Sequence, residues 1–377
     1  MTVRIQGVDR VLMGAVLALC LLGCLLVWSA GGAGQAQKQL VNVAIGLVLM
    51  LVVMATEHRW VRILAPLVYA ASVLGLVLVL TMGTTVNGSR SWLMLGSLSI
   101  QPSEFAKLAV VIGMALIVAE RAEGSGRARV GLLDVLLMLA VAALPVTLIL
   151  MQPDLGTMLV LAATVFGVLA IAGAPRRWLA LLALGGAGGA VAAVSAGWLK
   201  DYQLDRFLAF TDPSLDPRGA GYNVEQARIA VGNGGLFGQG LFHGSQTRAG
   251  FVPEQHTDFV FTVAGEELGL VGAAVVIALL GIVLWRALRI AVRADDVFGR
   301  VAAAGIACWL GFQAFQNIGM CLGIMPVTGV PLPFLSYGGS SMFAVMLAVG
   351  LLQNVHLRSR TAPAARLRPR ERMLVRV

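Results

Sequence analysis

Apolar runs of roughly 20 residues recur along the whole of this chain, the length a helix needs to cross a bilayer. Ten of them fall at residues 8–29, 38–56, 61–82, 101–120, 131–150, 154–172, 177–197, 258–285, 299–322 and 338–356. The fifth and sixth are parted only by Met151-Gln152-Pro153; the proline and its polar neighbours predict a tight turn there, not one very long helix. The eighth pattern runs on to about Arg293, past the bilayer. The first run is too long for a cleavable signal peptide and has no small-x-small site after it, so it is read as the first span. The pattern predicts an all-α, polytopic membrane protein. A single transmembrane domain occupies residues 1–377, with a long polar loop, 198–257, between the seventh and eighth spans and a basic tail, 358–377.

The polar positions between the runs are unevenly shared. With the N-terminus inside, the cytoplasmic segments hold Arg4, Arg10, Arg59, Arg62, Arg121, Arg127, Arg129, Arg176, Arg177, Arg286, Arg289, Arg293, Arg300 and the seven arginines after Leu357, which is 20 of the 28 Lys and Arg. Positive charge favours the cytoplasmic side, so both termini are expected in the cytoplasm. The Gly- and Pro-rich polar strings all fall on the other side: residues 87–92, Gln101-Pro102-Ser103-Glu104, Gln152-Pro153-Asp154, the loop 198–257, and 326–341. Chemistry or binding is therefore expected at the outer face. No similarity between halves is visible, unlike transporters built from inverted repeats.

Composition narrows this further. Of 377 residues, 58% are hydrophobic and 12% charged, with mean hydropathy +0.85, which leaves no room for a separate soluble domain. The net charge of +9 is mostly the inner-side bias plus the tail. That tail suits anionic membrane lipid. It lacks interleaved aromatics, and nucleic acid is excluded as a partner. Cys20, Cys24, Cys308 and Cys321 lie inside predicted spans with no C-x-x-C pair, as packing residues do.

In the long loop, residues 222–231 have helical spacing with an apolar face, which predicts a short interfacial helix. The glycine-rich stretch 232–240 either brings backbone N–H groups to an anion or only lets the chain turn. After it comes Pro253-Glu254-Gln255-His256-Thr257-Asp258. Asp258 is expected in the first turn of the eighth span with Thr257 as N-cap, where the helix dipole stabilises its charge and lowers its pKa. An ionisable group at a membrane boundary is a functional candidate, because lipid offers it no cheap partner. Asp258 and Glu254 are hard oxygen ligands, but one carboxylate pair is no cage. A loosely held divalent ion (magnesium or manganese) shared by Asp258 with substrate phosphates is the expectation, and no organic cofactor is expected.

Four further groups carry candidate chemistry. Glu104 and Lys107 are i,i+3 near the outer end of the fourth span. They form either a structural ion pair or a site where Lys107 attracts an anionic headgroup and Glu104 holds it. Asp154 begins the sixth span, as first-turn acid or substrate contact. Glu266 and Glu267 lie inside the eighth span, for packing support or catalysis. Pro326 to Pro333 and Ser336 to Ser341 are too broken for regular helix and too apolar for a free loop, so they predict a re-entrant, cavity-lining segment buried in protein.

The polar strings carry a resemblance. NGSRSWLMLG (87–96), QPSEFAKLA (101–109), QPDLGT (152–157), DPRGAGYNVEQARIAVGNGGLFGQG (216–240), GFVPEQHTDFVFTVAGEELG (250–269) and PVTGVPLPFLSYGGSSM (326–342) resemble, in order, the motifs of the SEDS proteins (shape, elongation, division and sporulation). The proline-rich string is closer to the elongation members, RodA, than to the division members, FtsW. The resemblance implies a peptidoglycan glycosyltransferase that polymerises lipid II into glycan strands at the outer face during cell-wall elongation and shape maintenance. It implies Asp258 as the catalytic acid residue, with the Glu104/Lys107 pair functionally important. Arg90, Trp92, Asp154, Glu254, His256, Ser336, Gly338 and Gly339 are candidate contacts to lipid II. The implied partners are lipid II, the nascent strand and a class B penicillin-binding protein. Many members carry a second basic residue where this chain has Ser91. The competing readings are a lipid II flippase, an FtsW-type division enzyme, or a scaffold for the penicillin-binding protein. A flippase needs polar groups at both leaflets, whereas this chain gathers them at one.

Overall fold

The computed structural model describes residues 7–86, 89–95, 98–125, 130–197, 204, 206, 210, 212, 216 and 219–361. Outside them lie Arg4, Asn87, Gly88, Arg127, Arg129, Asp201, Asp205, Arg218 and the tail beyond Thr361.

The described chain is nearly all helical. The helices are α1 (Arg10–Ala55), α2 (His58–Met82), α3 (Pro102–Ser125), α4 (Leu132–Met151), α5 (Leu155–Ile171), α6 (Arg176–Ser195), α7 (Ala220–Asn233), α8 (Ser245–Ala249), α9 (Val260–Arg293), α10 (Val297–Cys321) and α11 (Gly339–Thr361). Among the described residues, eight helices are long and apolar enough to cross a membrane, while α5 is shorter. This is a multi-span helical membrane protein.

α1 has 46 residues, with Gly32 at φ 80° inside it. A straight helix of that length reaches about 69 Å, over twice the hydrocarbon thickness. The two ends of α1 instead meet the same turn of α11. Asp9, the N-cap, exchanges hydrogen bonds with Gln353, and Asn354 Nδ2 donates to the Thr56 carbonyl beyond the C-terminus (2.6 Å). So the chain reverses at Gly32, and α1 is two antiparallel arms. Asp9 also pairs with Arg286 of α9, neutralising a buried carboxylate.

α3, α10 and α11 form the buried centre, and α2, α4 and α6 the periphery. α6 has no buried residue, as suits a helix turned to lipid. Three short strands depart from the all-α expectation: β1 (Thr84–Val86), β2 (Ser89–Leu95) and β3 (Leu98–Ile100), antiparallel in that order. Thr84 faces Trp92, and Leu93 faces Ile100. Strands this short give no hydrophobic period to read in advance.

α9 is broken at Gly269, φ +66°. The backbone groups freed by the break are met by the glycine-rich stretch. Gln239 N and Gly240 N donate to the carbonyls of Glu266 and Glu267 (3.0 Å each), and Leu270 N and Val271 N donate to Gly235 O and Leu236 O (2.9 and 3.1 Å). A Cβ on Gly238 would lie 2.1 Å from the Glu267 carbonyl, so only glycine allows this approach. Gln239 and Gly240 therefore spend their N–H groups on α9. The helix expected over 222–231 is α7, with Val224, Ala227 and Ala230 buried against the protein.

Candidate active site

One end of the bundle opens into a cleft of about 310 Å³. Several separate segments build its wall, the β3–α3 junction with Ser99 and Gln101 among them. β2 supplies Ser89, Ser91 and Trp92; the α4–α5 turn supplies Pro153 and Asp154; the loop before α9 supplies Glu254, Thr257 and Asp258. The segment between α10 and α11 supplies Thr328, Gly329, Pro331, Tyr337 and Gly338, and Arg206 completes the rim.

Asp258 is not the first-turn acid expected. α9 starts at Val260, and Phe259 holds the N-cap position without a side-chain bond. Asp258 sits in a turn closed by Glu254, whose φ is +52° and whose carbonyl accepts from Thr257 N, Asp258 N and Phe259 N (3.1, 3.0 and 3.3 Å). Thr257 Oγ1 donates to Glu254 Oε2 (3.0 Å) rather than capping the helix. The carboxyl of Asp258 is thus freed from the helix start and turned to the cleft. Burial pushes its pKa up from 3.8 to about 7, Glu254 and Asp154 adding to the rise and Arg206 opposing it. The dipole-lowered pKa expected from a first-turn position is corrected accordingly.

Gly329 lies directly against this carboxylate. A Cβ there would stand 3.2 Å from Asp258 Oδ2, and the residue holds φ +66°. Glycine here lets the re-entrant wall approach the acid without covering it. That segment is buried as expected, with Val327, Val330, Leu332, Phe334 and Leu335 all inside the protein.

Of the candidates, Trp92, Asp154, Glu254, Asp258 and Gly338 line the cleft; the rest do not. Asp154 is the N-cap of α5, accepting from Thr157 N (3.0 Å) and Thr157 Oγ1 (2.8 Å), so its cap role is secured while it still faces the cleft. Arg90 turns away: its guanidinium donates to the carbonyls of Gly83, Leu80 and Thr81 (2.7, 2.9 and 3.0 Å) and closes the end of α2. His256 packs its ring against Tyr337 (5.6 Å) and accepts the Tyr337 N–H at its carbonyl (2.9 Å). Burial lowers the His256 pKa and Glu254 opposes that, so the ring is a neutral packing group at neutral pH. Ser336 Oγ accepts from Leu332 N (2.8 Å) and shapes the loop. Gly339 stands against Asn42, at the start of α11.

Glu104 and Lys107 pair at 2.7 Å, 1% and 0% exposed. Lys107 Nζ also donates to Gln313 Oε1 (2.7 Å) and lies 5.4 Å from the Trp309 ring centre. The ammonium lies behind the cleft wall, not on it. Glu266 and Glu267 also lie off the cleft. Glu266 accepts from Ser245 Oγ, Gln246 N, Thr247 N and Thr247 Oγ1 (3.2, 2.7, 2.9 and 2.7 Å), and Glu267 accepts from Ser29 Oγ. Arg206 had no mark in the sequence beyond its charge, because its loop carries no period that would aim it. Among the described residues no three His, Cys, Asp or Glu side chains gather as a metal ligand set.

Comparison with known proteins places this geometry. A family model described as a cell cycle protein, FtsW/RodA/SpoVE, matches residues 9–361. The Escherichia coli K12 peptidoglycan glycosyltransferase MrdB is 39% identical over 357 residues, covering 92% of this chain and 93% of that protein. A chain from a peptidoglycan synthase complex, described for its coordination of polymerization and crosslinking, superposes with TM-score 0.80 at 34% identity, covering 93% of this chain and 98% of that one. A Thermus thermophilus rod shape determining protein, RodA, superposes with TM-score 0.68 at 33% identity, covering 93% and 96%.

Proposed function

The chain belongs to the FtsW/RodA/SpoVE family, and from that premise we propose that it is a peptidoglycan glycosyltransferase polymerising lipid II, with Asp258 as its general base. The observation that carries this reading is the Asp258 carboxyl in the wall of a polar cleft, with Asp154 and Glu254 on the same cleft and Gly329 against it; burial there raises its pKa to about 7. A base works best when its pKa lies near the working pH, since it is then both deprotonated and able to take a proton. In the transfer, the acceptor sugar's 4-hydroxyl oxygen bonds to C1 of the donor sugar. Its proton passes to Asp258, the bond from C1 to the pyrophosphate oxygen breaks, and the polyprenyl pyrophosphate leaves, with inversion at C1. Arg206 faces the charge that grows on that leaving group. Trp92 and Tyr337 offer flat walls to the sugars.

Among the described residues no three His, Cys, Asp or Glu side chains gather as a ligand set, and no step here uses a metal. A divalent ion shared between Asp258 and the substrate pyrophosphate is the form of cation this reading expects. We read α1 as two spans and α5 as a further one, which gives ten with both termini in the cytoplasm and the cleft outside. The long loop before α9 then lies outside as well. The elongation role and a class B penicillin-binding protein as partner follow the same reading, supported by the likeness to MrdB and to the synthase complex. A flippase fits less well: Val111, Met114 and Ile306 fill the bundle behind Lys107 with apolar side chains, not a polar path. Purified protein given lipid II, alone and with the penicillin-binding protein, should make glycan strands. Transbilayer movement of lipid II without strands would favour the flippase.

A further inference from the structure

Three amides of α10 reach one wall of the cleft. Gln313 Nε2 donates to the Pro331 carbonyl (2.9 Å), and Gln316 Nε2 to Thr328 Oγ1 (2.7 Å). Asn317 Nδ2 donates to the carbonyls of both Val330 and Asp258 (2.7 Å each). All three amides are fully buried. The wall needs them, because Pro331 and Pro333 bring no N–H and the segment forms neither helix nor strand.

The Gln313 amide can face only one way. Its Oε1 accepts from Lys107 Nζ and from Trp309 Nε1, both at 2.7 Å. Ammonium and indole N–H groups only donate, so the oxygen must face them and the nitrogen must face Pro331. Asn317 is fixed by the same logic, since both its amide hydrogens go to carbonyls. One of these belongs to the candidate base, and the other to the residue beside Gly329, which touches that base. A chain of contacts therefore runs from Glu104 and Lys107 through Gln313 to Pro331, and a second links Val330 to Asp258 through Asn317.

We propose that Gln313 and Asn317 are positioning residues for the transfer, setting the gap between Asp258 and the Pro326–Pro333 wall, and that the Glu104–Lys107 pair serves the reaction through Gln313 rather than by touching substrate. The proposal rests on the glycosyl-transfer reading above. Neither amide lines the cleft, yet each holds a backbone group that does. A displacement of about 1 Å at the reacting atoms costs roughly 100-fold in rate.

The test is steady-state polymerisation of lipid II by the full-length protein in nanodiscs, with inserted protein quantified. Asn317→Ser keeps one donor and loses the other. Gln313→Glu keeps the acceptor for Lys107 but sets an oxygen against Pro331. Each should lower kcat about tenfold or more with KM within about threefold, a split that simple loss of substrate contact does not give. Lys107→Met should show the same split. Phe315→Ala, on the exposed side of the same turn, should match wild type. Wild-type kcat in both amide variants overturns the proposal. So does a rise in KM alone, which makes these residues substrate ligands, or failure of both amide variants to insert, which makes them folding residues. A wild-type protein that makes no glycan under any condition defeats the transferase reading, and this inference with it.

Discussion

Asp258 and Glu266 lie on one short stretch of chain, and the protein uses their carboxylates in opposite ways. Glu266 is fully buried, and its two oxygens accept four hydrogen bonds from the turn that starts α8. Asp258 gives its backbone to the scaffold, its N–H to the Glu254 carbonyl and its carbonyl to Asn317, and leaves its carboxyl to the cleft. Glu266 fastens the long loop to the broken helix, whereas Asp258 is held by its backbone so that its side chain stays available. What a carboxylate does at this depth depends on which of its atoms the fold has already committed.

The sharpest way to break that contrast is to exchange the losses. Asp258→Ala should lower glycan polymerisation by about 100- to 10,000-fold, the range a general base contributes, with membrane abundance unchanged. Glu266→Ala should do the reverse. It strands the donors of residues 245–247 and should cut the amount of folded protein, while the molecules that insert keep their turnover. Abundance and activity measured together separate the two; equal loss of abundance in both variants would erase the distinction.

Lys107→Met comes next. It leaves Glu104 buried without its counter-charge, at a cost of about 3–5 kcal/mol. Thermal unfolding in detergent should show a large drop in midpoint, and an unchanged midpoint would put the pair outside the buried core. Exchanging the charges, Glu104→Lys with Lys107→Glu, should not restore activity, because a carboxylate at position 107 cannot donate to Gln313.

Gly329→Ala sharpens the account of the cleft itself. A Cβ 3.2 Å from Asp258 Oδ2 at φ +66° should strain the wall by about 1–2 kcal/mol and lower kcat about tenfold. Wild-type turnover in this variant would mean that the wall is soft. Arg90→Ala should have the smallest effect. The guanidinium closes the carbonyl end of α2 and faces away from the cleft, so stability should fall by about 1 kcal/mol or less and KM should stay within twofold. A tenfold rise in KM would return Arg90 to the substrate.

That the chain is a bundle of membrane-crossing helices was legible in the sequence because lipid demands long apolar runs, and much of the cleft lining lies in the polar strings between those runs. The re-entrant segment, the helix over 222–231 and the i,i+3 pair could also be read. Depth could not. Spacing says that Glu104 and Lys107 share a face, but not that α10 covers it with Gln313 and Trp309. The start of α9 was misplaced by two residues, a small error that moved Asp258 from a charge-stabilising first turn to a turn where burial dominates. The glycines of 232–240 carry no sign of their partner, which is the break in α9 far along the chain. Arg206 was invisible as a site residue for a related reason: no local pattern marks its place beside the cleft.

The most direct test of the central claim is the pH dependence of lipid II polymerisation by wild type and Asp258→Asn, normalised to inserted protein. With a base raised to about 7, the wild-type rate should fall as pH drops below about 7, because the carboxyl is then protonated and cannot take the acceptor's proton. The same raised pKa means the folded protein holds this proton more tightly than the unfolded chain does. Asp258 therefore destabilises the fold as pH rises from about 4 to about 7, and Asp258→Asn should unfold at a higher temperature than wild type at pH 8 but not at pH 4. The account predicts an Asn variant that is more stable at pH 8 and inactive at every pH. An Asp258→Asn protein that polymerises lipid II at the wild-type rate would contradict it.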